Sequence, residues 1–163
     1  MVFSTTRTKS REKSFKWVGP ITKTTIGITA LKNRNIVIKN ISDLKKYKIG
    51  CIKKDIDESL LIENKIPKEN LVSLDGTNSL ATTFYKLERD KIDMFAYETK
   101  VANYSADLNG FDSDEYEVVY TLSNGELYFA FNRLTSDKTI QKWQKALDKI
   151  KANGIYQEII KKY

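Results

Sequence analysis

Hydrophobic and polar positions along the chain alternate between short period-two runs and longer helical repeats. "SFKWVGPI" reads as a short strand stopped by Gly19-Pro20. "TTIGITAL", Thr24–Leu31, is β-branched and reads as a strand, with "NRNIVIKN" as a further extended piece. "ISDLKKY" predicts a helical turn capped by Ser42. "KIGCI", Lys48–Ile52, predicts a buried strand, followed by a polar turn and the helix "DESLLIENK", closed by Pro67. "NLVSL", Asn70–Leu74, is the next strand. A turn at Asp75-Gly76 leads to a helix capped by Asn78, with Leu80, Phe84 and Leu87 on one face. "KIDMFA", Lys91–Ala96, predicts a strand, and "ETKVANYSADL" a helix with Val101, Ser105 and Leu108 inward. Two strands follow, "YEVVYTL" and "ELYFAF". Ile140, Trp143, Leu147 and Ile150 then mark a helix started by Ser136 and stopped by Asn153-Gly154, and "IYQEIIKKY" begins a second.

The centre, about Lys48 to Leu122, is therefore a strand–helix series. That pattern predicts an α/β fold with right-handed crossovers and a parallel-rich sheet. The flanks, Val2–Pro20 and Leu134–Tyr163, supply one strand, a turn and two helices, which do not complete a second domain by themselves.

Composition narrows the function classes. The chain has 163 residues, 40% of them hydrophobic, enough for one core or two small lobes. The net charge of +7 comes from basic residues interleaved with acids, as in "KKDIDE" at Lys53–Glu58, and reads as a solubilising surface. No zinc knuckle or RNA-binding signature accompanies it. Cys51 is the single cysteine, set in the apolar run "IGCI", and reads as a small buried strand residue. The absence of histidine excludes Ser-His and Cys-His pairs and histidine metal ligation within the chain. No apolar run is long enough to span a bilayer, and no secretory signal is read.

Four motifs in order carry a resemblance: "FSTTRTKSREKSFKWVGPI", "SDLKKYKIGCIKKDIDESLL", "LERDKIDMFAYETKVANY" and "TIQKWQKALDKIKANGIYQEIIKKY". Together they resemble the extracytoplasmic solute-binding proteins of family three, the polar amino acid receptors of ABC importers. The last motif is the most specific, since helix, Asn-Gly stop and second helix all align. The resemblance implies a periplasmic-binding-protein type II fold, with one complete βα lobe and an incomplete second lobe. It places residues 1–22 and 127–163 in lobe one and 23–126 in lobe two. It also implies that Val2–Ile21 is an interior cleft wall, since the family carries a further segment before this point.

The resemblance further implies binding residues. The family pairs a ligand carboxylate with an arginine, which by position is Arg11, with Thr6 as a hydroxyl donor; Arg7 is the competing arginine. Read from the residues alone, Arg11 is a surface arginine in a polar turn, and only the resemblance raises it to a binding candidate. A guanidinium fork suits a carboxylate in a way lysine does not. The loop Lys53–Asp57 enters a helix, and its amides are expected to receive an anion. The family has glycine in that loop where this chain has "KKDID": either the pocket is narrower, with Lys54 adding charge and Asp55 lining it, or the site has drifted and the loop is a plain strand-to-helix turn. The ammonium end is expected at Glu98, next to Tyr97, although Glu98 is equally a helix-start acid. Trp17 is a candidate stacking residue or a core aromatic. Strands near Ile21–Thr25 and Ser123–Tyr128 are the expected hinge.

The expected function is extracytoplasmic binding of a small zwitterion, an amino acid or similar, for delivery to an ABC transporter permease. No chemistry, cofactor, metal or nucleic-acid partner is expected. A homodimer through the incomplete lobe is the expected assembly. The alternatives are a remnant without ligand and a basic interaction module.

Overall fold

The computed structural model describes residues 1–161. Lys162 and Tyr163, the end of the C-terminal motif, lie outside the described residues. The chain divides into two compact units. One holds Met1–Thr24 and the stretch from Gly125 onward, and the other holds Thr25–Asn124. The chain passes between them inside two long strands, β2 (Phe15–Leu31) and β6 (Tyr116–Asn132).

Each long strand was expected as two pieces. Gly19-Pro20 does not stop β2. Proline costs a ladder hydrogen bond only where its missing N–H would face a neighbour, and strand edges tolerate it. Gly19 donates its own N–H to the side-chain Oε1 of Gln144, at 3.0 Å. In β6, Ser123-Asn124-Gly125 continues the strand where a turn would be read from composition.

In the Thr25–Asn124 unit, the strand order is β2, β5 (Met94–Glu98), β3 (Ile49–Ile52), β4 (Leu71–Leu74). β3 is parallel to both β4 and β5, and β2 is antiparallel to β5. α1 (Ile56–Glu63) connects β3 to β4, α2 (Ser79–Glu88) connects β4 to β5, and α3 (Thr99–Leu108) follows β5 on the way to β6. Strand alternation sorts the core into two faces. Ile28, Ala30, Ile49, Cys51, Met94 and Ala96 pack with Leu61 of α1. Leu31 and Phe95 pack with Phe84 and Leu87 of α2 and with Ala102 and Ala106 of α3. Phe84 centres that second face, with Phe95, Phe111 and Tyr116 rings 5.0–5.2 Å away. Gly50 is glycine because a Cβ there would lie 2.7 Å from Ile92 Cδ1 and 3.2 Å from Thr83 Cγ2. Arg34 donates to the carbonyls of Leu87, Ile92 and Asp93 and to Asp90, closing the C-terminal end of α2.

Three local expectations change here. The inward face of α3 is Ala102 and Ala106, while Val101 and Leu108 are exposed. Small residues bring a helix closer to its neighbours than branched ones, so alanines take the crowded side. The turn Ile41–Lys46 is capped by Asn40, which with Asp43 forms a reciprocal capping box, and not by Ser42. "NRNIVIKN" opens with a 3-10 turn at Lys32–Arg34.

In the other unit, β1 (Val2–Thr6) runs antiparallel to the second half of β6, with Thr6 opposite Leu127. α4 (Asp137–Ala152) and α5 (Ile155–Ile160) follow. Val18, Phe131 and Leu147 form the core, with Phe129, Ile140 and Ile150 around them. Ser136 caps α4 through the Thr139 N–H, and Gly154 takes the left-handed step (φ 84°) that separates the two helices. Tyr156 of α5 donates its hydroxyl to the Ile21 carbonyl at 2.6 Å.

Candidate functional site

The parallel strands decide where the Thr25–Asn124 unit can receive a ligand. From β3 the chain crosses to β4 on one side, then returns past β3 to β5 on the other. Such a switch in strand order opens a crevice outside the carboxyl ends of the two strands. At that edge lie the loop after β3, residues 53–55, and the end of β5, Tyr97 and Glu98.

Four of the expected residues gather here. Tyr97 is half-buried, and its hydroxyl is pushed up by burial and then by the charges of Asp55, Asp57 and Glu98. Asp55 caps α1 by accepting the Ile56 N–H at 2.7 Å. Glu98 caps α3 by accepting the Val101 N–H at 2.7 Å. Lys54 is exposed and steps through the left-handed region (φ 65°), the conformation for which glycine is the easy choice. The loop thus makes a glycine-like turn without glycine.

The expectation that this loop offers free amides to an anion is overturned. Ile52 donates to Asp57 Oδ2 (2.8 Å) and Lys54 to Glu58 Oε2 (2.7 Å). Lys53 donates to the Leu74 carbonyl and Asp55 to the Ile52 carbonyl. Every N–H from Ile52 to Ile56 therefore has an acceptor in the chain itself. Asp55 and Glu58 at the start of α1 and Glu98 at the start of α3 bring carboxylates to this edge, beside Lys53 and Lys54, and such carboxylates suit a cation.

Asp57 was not singled out from sequence. It is fully buried, Oδ1 has no hydrogen-bond partner, and burial and then the Asp55 charge push its carboxyl up to about 7. Its signal in the sequence, an acid in "DIDE" at a helix start, is the same as that of an ordinary dipole-favoured acid. Glu58 also accepts the Ser73 hydroxyl, which holds its carboxyl below the usual range, helped by the Lys54 N–H. Cys51 is buried and its thiol is pushed up to about 11, mainly by burial, so it is no nucleophile near neutral pH.

In the other unit, Arg11 is half-buried in the turn after β1, and its backbone N–H is held by Thr8. Among the described residues its guanidinium has no ion-pair or hydrogen-bond partner. Arg7, the competing arginine, is already committed. It forms a two-point pair with Glu12 and lies over the rings of Trp17 and Tyr128. Thr6 ends β1 opposite Leu127, half-buried. Trp17 meets Phe15 and Tyr128 edge-on, at 5.5 and 6.0 Å. No metal-ligand cluster occurs among the described residues.

Comparison with known proteins places the architecture. The P235GK mutant of ArgBP from T. maritima superposes with a TM-score of 0.80 at 18% identity, over 98% of this chain and 66% of that one. The arginine-, lysine-, histidine-binding protein ArtJ from Geobacillus stearothermophilus gives 0.78 at 20% identity, over 98% and 67%. A histidine kinase sensor domain with similarity to periplasmic binding proteins gives 0.81 at 16% identity, over 97% and 66%. The chain has the periplasmic-binding-protein fold. It spans 66% of the ArgBP chain. No protein-family model and no curated protein sequence matches it. Within this fold the ligand must be read from the residues, and the acid-lined edge at β3 and β5 is the feature that reads most clearly.

Proposed function

We propose that the chain is an extracytoplasmic solute receptor that binds a small zwitterion of the amino acid class and delivers it to an ABC-type permease. The observation that carries this reading is the gathering of Asp55, Tyr97 and Glu98 at the carboxyl ends of β3 and β5, above the buried Asp57. That edge takes the ammonium end. In the other unit, Arg11, with a guanidinium uncommitted among the described residues, is suited to a carboxylate, with Thr6 as a hydroxyl donor. Both ABC-transporter receptors and a kinase sensor domain share the architecture, so it is the residues that favour ligand capture, while transfer to a permease is the further step.

The test is isothermal titration against the twenty amino acids, followed by Arg11→Ala and Glu98→Gln on any ligand found. Glutamine keeps an oxygen for the Val101 N–H, so α3 stays capped while the charge is removed. Loss of a charged contact weakens binding about tenfold or more in each variant. Absence of any amino acid ligand, or binding unchanged in both variants, rejects the proposal.

A further inference from the structure

The turn after β1, in the unit that holds Met1–Thr24, carries a second recognition geometry. Arg7 Nε donates to Glu12 Oε2 at 2.7 Å and Arg7 Nη2 donates to Glu12 Oε1. Its Cζ lies 5.8 Å from the Trp17 ring centroid and 5.3 Å from that of Tyr128. The two rings meet edge-on, at 6.0 Å and 77°. A carboxylate fork with aromatic faces is how proteins hold guanidinium and ammonium cations.

The surroundings fix this arrangement. Gly19 faces Tyr128 so closely that a Cβ would lie 2.4 Å from its Cδ1, which leaves the ring one seat. Tyr128 donates its hydroxyl to Glu126 at 2.9 Å. Phe15 backs Trp17. The Trp17 indole Nε1 is buried and makes no hydrogen bond. The side chains of Arg7 and Glu12 are 39% and 47% exposed, so solvent reaches the occupant and its carboxylate while the ring seats are fixed.

We infer that Glu12, Trp17 and Tyr128 form a cation cage for a guanidinium-bearing ligand, and that Arg7 is its resident internal competitor. Glu12 follows Arg7 by only five positions, so the competitor is present at an effective concentration on the order of millimolar or above. An outside guanidinium fills the cage only when it displaces Arg7, or when the turn moves and carries Arg7 away. The cage is independent of the amino acid proposal, because its test touches none of the residues invoked there.

The test uses ethylguanidinium chloride as the probe and potassium chloride as the ionic control. Binding is followed at the Trp17 indole N–H resonance in the wild type, Arg7→Ala and Arg7→Ala/Glu12→Gln. Arg7→Met, which keeps the aliphatic stem over the rings, serves if the alanine variant does not fold. Saturable shifts at least about tenfold tighter in the Arg7 variant than in the wild type, and lost with Glu12→Gln, are expected. No saturable shift in a folded Arg7 variant overturns the inference. So does equal affinity with and without the Glu12 carboxylate, or a response that potassium chloride reproduces.

Discussion

The substitution Asp57→Asn tests the central electrostatic feature of the β3–α1 loop. Asp57 is fully buried, accepts the Ile52 N–H through Oδ2, and leaves Oδ1 without a partner. Burial, followed by the Asp55 charge, raises its carboxyl from 3.8 to about 7, against the lowering effect of the backbone donors. Between those two values the folded protein holds a proton that the unfolded chain has released. Stability therefore falls as pH rises through that window, by about 1.4 kcal/mol per unit. Over about three units the loss is at most about 4 kcal/mol, complete above the folded value. The asparagine side chain keeps an oxygen for the Ile52 N–H and carries no charge. Any fixed cost of its amide is the same at every pH. The difference between variant and wild type should thus swing by about 2–4 kcal/mol in favour of the variant from pH 4 to pH 8. Glu12, Asp43 and Glu58, whose carboxyls are held below their usual values, lose their contributions at acid pH in both proteins and drop out of the difference. Urea denaturation followed by far-ultraviolet circular dichroism at stepped pH measures the swing. A stability difference that stays flat across the window refutes the argument.

Three further outcomes follow from local geometry, each measured by urea midpoints at neutral pH. Lys54→Gly should stabilise the protein by about 0.5–1 kcal/mol, because Lys54 holds a left-handed backbone that glycine adopts without the Cβ penalty. Gly50→Ala should cost about 1–3 kcal/mol, since its new methyl meets Ile92 and Thr83, both buried. Arg34→Met should cost about 2–3 kcal/mol, because the carbonyls of Leu87, Ile92 and Asp93 lose a shared charged donor at a part-buried position.

The strand–helix alternation of the centre was legible because each element there has one dominant period. Ile49 and Cys51 with Met94 and Ala96 mark a two-faced sheet, and Phe84 and Leu87 mark the inner side of α2. The long strands were not legible. Gly19-Pro20 and Asn124-Gly125 are turn-forming pairs by local propensity, and only the neighbouring elements, such as Gln144 against Gly19, show that the chain continues extended. The inner side of α3 was misassigned because Val101 and Leu108 outrank alanine in hydrophobicity, while close packing selects for size. Of the candidate site, Asp55, Tyr97 and Glu98 were named through the resemblance, and the structure brings them to one edge. Asp57 was not, because burial of a carboxylate is a property of the loop's path and leaves no local mark in "DIDE".

That loop also shows how ligand polarity separates from architecture. A helix start at the carboxyl edge of a parallel sheet favours anions only while its N–H groups are free. Here Asp55 takes the Ile56 N–H at the helix start, while Asp57 and Glu58 take those of Ile52 and Lys54 in the approach to it. The helix, the strand order and the crossovers need no adjustment for this, since a carboxylate cap stabilises α1 as well as it blocks an incoming anion. A few acids thus turn an edge suited to carboxylates into one suited to amines without a change of strand order, although the buried Asp57 lowers stability once it ionises. This is why TM-scores near 0.8 at 16–20% identity fix the architecture of this chain and leave its ligand to the charges at β3 and β5.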